Sequence, residues 1–199
     1  MKIIALSGSY RKDGPTEQAA KALLEGAASK GAKTSFVALR EKNIQFCTNC
    51  RSCTQQPGDE PGECTQADDM KDLIRECLAG DVLVLASPIN FYQATAMSKK
   101  FLERLVPLGY WPWDKPSPSF RLKGKTRKAV LVSSSAAPGF IMPLLLSHAT
   151  DTLKLTAKTL GARVVKHLRY GLTGMKPHVE LSPKDLKKAF DLGVKLVSV

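Results

Sequence analysis

The sequence lacks an apolar run of 18 residues, which is about the length that a membrane-spanning helix requires. An apolar strand pattern begins directly after Met1 and Lys2, which leaves no room for the apolar core of a signal peptide. We therefore expect a soluble cytoplasmic protein. The 199 residues, 43% of them hydrophobic, suffice for one domain with a sizeable core.

Acidic residues are scarce: 18 Asp and Glu stand against 30 Lys and Arg, a formal charge of +12. Such a charge invites a nucleic-acid interpretation. The basic residues are nevertheless spread along the chain, with small clusters only at 121–128 and 184–188, and no nucleic-acid motif accompanies them. We expect a solvated basic surface that favours acidic small molecules or acidic protein partners, with neither nucleic acid nor membrane as a partner.

Two common nucleotide-binding motifs, the Walker A loop and Gly-x-Gly-x-x-Gly, are also absent. The stretch from Ile3 to Thr16 nevertheless predicts a phosphate site, because an apolar strand pattern runs through a polar loop into a helical pattern. The N–H groups at a helix N-terminus bind anions, the hydroxyls of Ser9 and Thr16 can donate to phosphate, and Arg11 can add a charge-assisted bond. This composition suits a single phosphate monoester. An ordinary strand-to-helix turn is the alternative.

Short apolar strands alternate with helical patterns along the whole chain. The strands are predicted at 3–6, 34–39, 82–86, 129–132 and 162–168, and the helices at 16–30, 70–78, 94–106, 143–160 and from 183 onward. This alternation predicts an α/β fold, a doubly wound parallel sheet with helices on both faces. Ligands bind such sheets at the carboxyl ends of the strands. The polar or aromatic loops at 87–92 and 133–139 follow two of those ends and could flank a flat ring, although simple turn chemistry would also explain them.

All five cysteines lie between 47 and 77, four of them as Cys47-x2-Cys50-x2-Cys53 followed by Cys64. Four thiolates are the usual shell of a [4Fe–4S] cluster, whereas zinc on four thiolates and a metal-free loop remain open. Cys77 lies on the apolar stripe of a helix and is expected in the core. His148, His167 and His178 form no ligand-spaced pair and are interpreted as structural or exposed.

The matching stretches 8–16, 47–53, 62–70, 87–91 and 100–104 follow one another in the order seen in a known family. The chain resembles the flavodoxin-like NAD(P)H-dependent FMN reductases, and within them the iron–sulfur flavoprotein branch. The resemblance implies one flavodoxin-like domain over 1–199 with a five-stranded sheet in the order 2-1-3-4-5. The residues themselves indicate a Cys-rich loop at 43–65 and an aromatic and proline-rich insertion at 107–120 within this domain. The resemblance also implies a homodimer or homotetramer with the flavin near the interface.

The resemblance also assigns site residues, always by position in this sequence. Those assigned to FMN are Ser9, Arg11, Asp13, Gly14, Pro15, Thr16, Pro88, Ile89, Asn90, Phe91, Ser133, Ser134 and Gly139. Those assigned to a metal cluster are Cys47, Cys50, Cys53 and Cys64, with a longer spacer before Cys64 than is usual in that branch. Tyr110, Trp111 and Trp113 are interpreted either as a lid or subunit contact, or as a surface loop that packs its own aromatics.

The implied function is an FMN-dependent oxidoreductase that passes electrons from NAD(P)H to a quinone, flavin, iron or oxygen species, with a [4Fe–4S] cluster as a candidate second cofactor. No catalytic side chain is required, because the flavin carries the chemistry. The alternative is an FMN protein that takes single electrons from a ferredoxin-like partner and has no nicotinamide activity. A zinc-stabilised binding module without flavin is a third hypothesis.

Overall fold

The structure is a computed structural model that describes residues 1–122, 124, 126–138, 140–141 and 148–198. Its helices are α1 (Pro15–Ala28), α2 (Met70–Leu78), α3 (Ala96–Glu103), α4 (Asp151–Thr159) and α5 (Pro183–Val197). Its strands are β1 (Lys2–Ser7), β2 (Lys33–Ala38), β3 (Val82–Asn90), β4 (Gln93–Ala94), β5 (Gly109–Tyr110), β6 (Ser119–Phe120), β7 (Arg127–Ser134) and β8 (Ala162–Tyr170).

Five long strands pair in parallel in the order β2-β1-β3-β7-β8. This is the order 2-1-3-4-5 of the long strands, so the prediction of a flavodoxin-like doubly wound sheet is confirmed. The short strand β4 adds an antiparallel pairing to β3, through Ile89 with Ala94 and Asn90 with Gln93. A separate two-stranded ribbon, β5 with β6, lies within the predicted insertion.

Two hydrophobic cores cover the two faces of the sheet. Ile4 and Leu6 of β1 point into the core shared with α2, α3 and α4, whereas Ile3 and Ala5 point into the core shared with α1 and α5. This period of two is what a strand buried on both faces requires. Helices α1 and α5 approach so closely that a Cβ at Gly26 would lie 2.0 Å from the carbonyl oxygen of Phe190.

The elements differ from the predicted ones at their ends. Strand β3 continues four residues past the predicted end, to Asn90, because Ser87 and Pro88 still pair with β7. Helix α4 begins at Asp151, after a turn at 148–150, and residues 143–147 of the predicted helix lie outside the described residues. No helix in the described ranges is long and apolar enough to span a membrane.

The single cysteine outside the motif and the buried histidine have structural surroundings. Cys77 is fully buried in the core, as expected. His167 of β8 lies 2.8 Å from the hydroxyl of Ser133 on β7, measured from its Nε2 atom. Burial lowers the pKa of His167 to about 4, so this imidazole is neutral near pH 7. The interpretation of His167 as a structural residue agrees with this pairing.

Candidate functional site

A cleft lies at the carboxyl edge of the sheet, where four loops meet. The loops follow β1, β3, β7 and β8, and the parallel pairing of these strands brings them to the same edge. The residues that line the cleft are Ser9, Tyr10, Arg11, Gly14, Pro15, Thr16, Pro88, Ile89, Asn90, Ser134, Ser135, Ala136, Thr173 and Gly174. Nine of the thirteen residues assigned to FMN are therefore brought together.

The loop between β1 and α1 forms a polar cradle at one end of the cleft. Helix α1 begins after Gly14 without a side-chain cap. Because Pro15 has no N–H and the Glu17 and Gln18 N–H groups bond to the Gly14 carbonyl, the Thr16 N–H is the donor of the first turn that is left for an anion. The Ser9 hydroxyl accepts a hydrogen bond from the Arg11 N–H at 3.1 Å and donates one to the Arg11 carbonyl at 3.0 Å. The hydroxyls of Thr16 and Ser134 lie 2.7 Å apart. A helix terminus, hydroxyls and one guanidinium together fit a phosphate group.

A buried ion pair supports this cradle from below. The Glu17 carboxylate is fully buried and pairs with the Arg40 guanidinium, and it also accepts hydrogen bonds from the Ser7 hydroxyl and the Asp13 N–H, each at 3.0 Å. Arg40 additionally donates to the carbonyl of Ser9 at 3.4 Å. These bonds hold both ends of the loop. They also stabilise the backbone of Asp13, which is left-handed with a φ of 54°. The sequence analysis did not identify Glu17 or Arg40.

The second loop is a tight hairpin between β3 and β4. Its two turn residues, Phe91 and Tyr92, have φ values of 50° and 67°. Both lie in the left-handed region that a two-residue primed turn requires and that bulky residues rarely adopt. Phe91 is 98% exposed and does not line the cleft, whereas Pro88, Ile89 and Asn90 do. The hairpin therefore presents its strand end to the cleft and its aromatic side chains to the surface.

Three other residues assigned to FMN either lie away from the cleft or are not among the residues that the structure describes. Ser133 faces the opposite side of the sheet, toward His167, and Asp13 pairs with Lys21 on the surface. Hydrogen bonding to Lys21 holds the pKa of the Asp13 carboxyl below its ordinary range. Gly139 lies outside the described residues.

The fourth loop, after β8, is the part of the cleft that the sequence analysis missed. Thr173 donates from its hydroxyl to the Ser135 carbonyl at 3.0 Å, which fixes this loop to the one after β7. Gly174 comes so close that a Cβ there would lie 2.9 Å from the Cβ of Ala136. The sequence does contain a pattern that could have identified this loop, because a threonine and a glycine follow the last strand just as Ser and Gly residues follow the others.

The four cysteines of the motif lie in one loop but differ in their surroundings. Cys50 is exposed, and hydrogen bonds from the Ser52 hydroxyl and backbone lower its pKa to about 6. Cys53 is buried, and this burial, reinforced by the charges of Cys64, Cys47 and Cys50, raises its pKa to about 11. Four thiols that influence one another fit the donor set of a metal cluster. Within the described residues, no three His, Cys, Asp or Glu side chains are already arranged so as to hold a metal ion.

The aromatic insertion packs against the Cys-rich loop. The Arg51 guanidinium lies 3.8 Å from the ring centroid of Trp111 and 4.3 Å from that of Trp113, and it donates to the Trp111 carbonyl at 2.6 Å. The backbone N–H of Trp111 donates to the Thr54 carbonyl at 2.9 Å. Both tryptophans therefore pack against the Cys-rich loop. The insertion, for which a lid was one interpretation, contacts that loop and does not line the cleft.

Two buried arginines complete the support of this loop. Arg121, 4% exposed, donates to five carbonyl oxygens, those of Cys53, Gln56, Gly58, Pro107 and Gly109. Arg104, 2% exposed, pairs with the buried Asp68 and donates to the Gln45 carbonyl at 2.8 Å. A second nitrogen of Arg104 lies 3.6 Å from the Cys64 Sγ atom, so this residue joins the start of the loop to its last thiol.

The profile of the NADPH-dependent FMN reductase family matches residues 1–172 of the chain. The chain belongs to this family. An iron-sulfur flavoprotein of Archaeoglobus fulgidus is 29% identical to this reductase over 197 residues, 98% of the chain and 79% of the relative. An iron-sulfur flavoprotein of Methanocaldococcus jannaschii is 30% identical over 139 residues, which cover 70% of the chain and 65% of that relative.

Solved structures agree on the fold of the reductase. An NAD(P)H:quinone oxidoreductase from Methanothermobacter marburgensis superposes with a TM-score of 0.70 at 17% identity, covering 98% of each chain. The predicted family is thus confirmed, and with it the expectation of an NAD(P)H-dependent oxidoreductase of the FMN-using class.

The Glu17–Arg40 pair gives a testable expectation for the phosphate loop. Glu17→Gln removes the buried charged partner of Arg40, which keeps only the exposed Glu41, and leaves one carbonyl oxygen for the Ser7 and Asp13 donors. We expect the free energy of unfolding, measured with urea, to fall by about 3–5 kcal/mol. Glu103→Gln, which breaks the exposed pair with Lys99, serves as the control and should lower it by less than about 1 kcal/mol. Equal losses in the two variants would contradict a special role of the buried pair.

Proposed function

We propose that the cleft binds FMN, with the phosphate group in the cradle of Ser9, Arg11 and Thr16 and the ring against Pro88 and Ile89. The observation that carries this proposal is the convergence of an uncapped helix N-terminus, two hydroxyls and one guanidinium at the carboxyl edge of the sheet. Ser134, whose hydroxyl lies beside that of Thr16, is a further contact for the same group. The apolar strand end of β3 gives a flat ring a surface on which to lie.

In this proposal NAD(P)H is the electron donor and FMN, when bound, supplies the hydride-accepting chemistry. The chain's own residues bind and orient. The helix N-terminus and Arg11 neutralise the phosphate charge. The hydrogen bonds between Ser9 and Arg11, and those that Glu17 accepts from Ser7 and Asp13, keep the loop in its binding shape before any ligand arrives. No side chain of the cleft has to exchange a proton during hydride transfer.

Exposed apolar side chains flank the cleft-lining residues in the sequence and support the further proposal of a homodimer or homotetramer. Phe91, Tyr92, Leu172 and Met175 are all more than half exposed, at 98%, 70%, 54% and 73%. Apolar residues gathered on a surface in this way indicate a contact with another molecule. A second copy of the chain would cover them.

Arg11 provides the test of the phosphate site. Arg11→Ala removes a charge-assisted hydrogen bond, so we expect the affinity for FMN to fall about 10- to 100-fold. Lys12→Ala is the matched control, because Lys12 is exposed, adjacent and equally charged but does not line the cleft. FMN is titrated into flavin-free protein, and the affinity is obtained from the change in flavin fluorescence. A similar loss in both variants would mean that only the general positive charge attracts FMN.

We further propose that Cys47, Cys50, Cys53 and Cys64 hold a [4Fe–4S] cluster, which would supply one-electron chemistry beside the two-electron chemistry of the flavin. The presence of four cysteines in one loop supports the proposal, as do the names of the relatives, iron-sulfur flavoprotein. The buried guanidinium groups of Arg104 and Arg121 also fit an anionic group in this loop. Zinc on the same thiolates and a metal-free loop are outcomes of the test.

The cluster is tested by counting iron and acid-labile sulfide in protein purified without oxygen. We expect about four irons and four sulfides per chain, and less than half of that in Cys50→Ser and Cys64→Ser. Cys77→Ala, which removes the one cysteine that lies in the core, should leave the content unchanged. One zinc ion without sulfide would establish the zinc alternative, and neither metal would overturn both.

A second candidate function is electron transfer with an acidic, ferredoxin-like protein and no nicotinamide activity. The observation that favours it is the formal charge of +12, which suits an acidic partner. Anaerobic addition of NADH or NADPH to the FMN-loaded protein separates the two functions. We expect the flavin absorbance to bleach within seconds. Flavin that stays oxidised with both nucleotides but is reduced by a ferredoxin would establish the second function.

A further inference from the structure

A group of buried hydroxyls lies between the phosphate loop, which joins β1 to α1, and the hairpin of β3 and β4. Its central member is Thr95, which is 1% exposed and lies outside the set of described residues that line the cleft. Ser87 and Ser98, the other two members, are buried as well. Burying a hydroxyl is costly unless it is hydrogen-bonded, so the partners of these groups show what holds this region together.

The side chain of Thr95 is bonded to the phosphate loop. Its hydroxyl donates to the carbonyl oxygen of Gly8 at 2.7 Å. The N–H of the same peptide group belongs to Ser9, and it donates to the Ser7 hydroxyl at 3.2 Å. Both polar groups of the Gly8–Ser9 peptide are therefore bonded inside the protein. These two bonds fix the orientation of the peptide, and with it the place of Ser9 in the cradle.

The backbone of Thr95 is bonded to the hairpin. Its N–H donates to the Ser87 hydroxyl at 3.1 Å, and that hydroxyl donates to the Pro88 carbonyl at 3.0 Å. Ala94, the residue before Thr95, pairs with Ile89. We call Pro88 and Ile89, which both line the cleft, the ring wall. Thr95 thus contacts the phosphate loop through its side chain and the ring wall through its backbone.

Helix α3 holds Thr95 itself in place. Thr95 is the N-cap of this helix, and its hydroxyl oxygen accepts a hydrogen bond from the Ser98 N–H at 3.2 Å. The Ser98 hydroxyl lies 3.1 Å from the same oxygen, and it is the donor there because the Thr95 proton is directed to Gly8. The helix lies so close to the loop that a Cβ at Gly8 would be 2.0 Å from the Ser98 Oγ atom.

We propose that Thr95 is a positioning residue that keeps the phosphate cradle and the ring wall at the separation that FMN requires. The inference rests on the proposed function, and it concerns a residue that acts through others. FMN joins a phosphate to a flat ring and would occupy both places at once. Its second contact benefits from the first only if the two places keep their spacing. Three consecutive hydrogen bonds, from Gly8 through Thr95 and Ser87 to Pro88, maintain that spacing.

Riboflavin, which is FMN without its phosphate, separates positioning from a local contact. It needs the ring wall, but it does not need a fixed distance from the ring wall to the cradle. A residue that only shaped the ring wall would change the affinities for riboflavin and for FMN by the same factor. Loss of a positioning bond lowers the affinity for FMN more than that for riboflavin, even when the bond that is cut lies at the ring wall.

The test compares the dissociation constants of FMN and riboflavin for flavin-free protein, obtained from the change in flavin fluorescence. Thr95→Val removes the hydroxyl and keeps the shape of the side chain. Ser87→Ala cuts the same path at the ring wall and leaves the bond from Thr95 to Gly8 in place. In both variants we expect the affinity for FMN to fall about tenfold and that for riboflavin to fall by less than about threefold.

Two further variants serve as controls. Thr95→Ser keeps the hydroxyl, so its affinity for FMN should stay within about twofold of that of the unsubstituted protein. Thr159→Val is the matched control, because Thr159 is also a buried threonine whose hydroxyl donates to a carbonyl, that of Leu155 at 2.8 Å within α4. It should bind both ligands as the unsubstituted protein does.

Several outcomes would overturn the inference alone. They are an unchanged affinity for FMN in Thr95→Val, equal losses for FMN and riboflavin in Ser87→Ala, and an equal loss for FMN in Thr159→Val. If Thr95→Val fails to fold by circular dichroism, Ser87→Ala decides the question. Failure of the unsubstituted protein to bind FMN would instead overturn the proposed function, and this inference with it.

Discussion

The parallel direction of the five long strands determines where chemistry can occur in this protein. Parallel pairing places the carboxyl ends of β1, β3, β7 and β8 along one edge, so loops far apart in the sequence meet there. Strand β3, which forms the middle of the order, leads into the hairpin that walls the cleft. The hydrophobic cores above and below the sheet fix the strands, and the strands in turn fix the loops. The position of the cleft is a consequence of the topology, whereas its chemistry depends on the residues of the loops.

The loops themselves bury little apolar surface, and buried charges hold them instead. Glu17 with Arg40 holds the phosphate loop, and Asp68 with Arg104 holds both ends of the Cys-rich loop. Such pairs add little net stability, because desolvation offsets most of the attraction, but removing one partner is expensive. All six non-glycine residues of positive φ within the described ranges lie in loops, namely Asp13, Asn49, Arg51, Phe91, Tyr92 and Leu172. Backbone strain of this kind persists only where surrounding bonds enforce it.

The apolar periodicity of the sequence was sufficient to predict the parallel sheet covered on both faces, because such burial leaves a continuous apolar run in β1 and β3. The strand order was predicted from the resemblance to the family. The polar loop after β1 was likewise recognisable from its residue types. Long-range contacts left no such signal. The residues next to Glu17 in the sequence do not indicate that it pairs with Arg40. The sequence of the insertion likewise does not indicate that Trp111 and Trp113 enclose Arg51. The Phe91–Tyr92 turn was unpredictable for another reason, since its residues are unusual for the left-handed conformation that they adopt.

The electrostatics of the Cys-rich loop are compatible with the proposal that it surrounds a negatively charged group. Arg121 is buried, and its partners among the described residues are carbonyl oxygens, so no carboxylate there neutralises its charge. One of those carbonyls belongs to Cys53, and burial raises the pKa of its thiol. An isolated buried cation is costly, and so is a buried thiolate, but each lowers the cost of the other. Four thiolates around metal ions carry a net negative charge, so binding such an assembly would remove both penalties at once. In that proposal, the Arg121 guanidinium that holds the loop through its carbonyl oxygens would also be the counter-charge of the bound cluster.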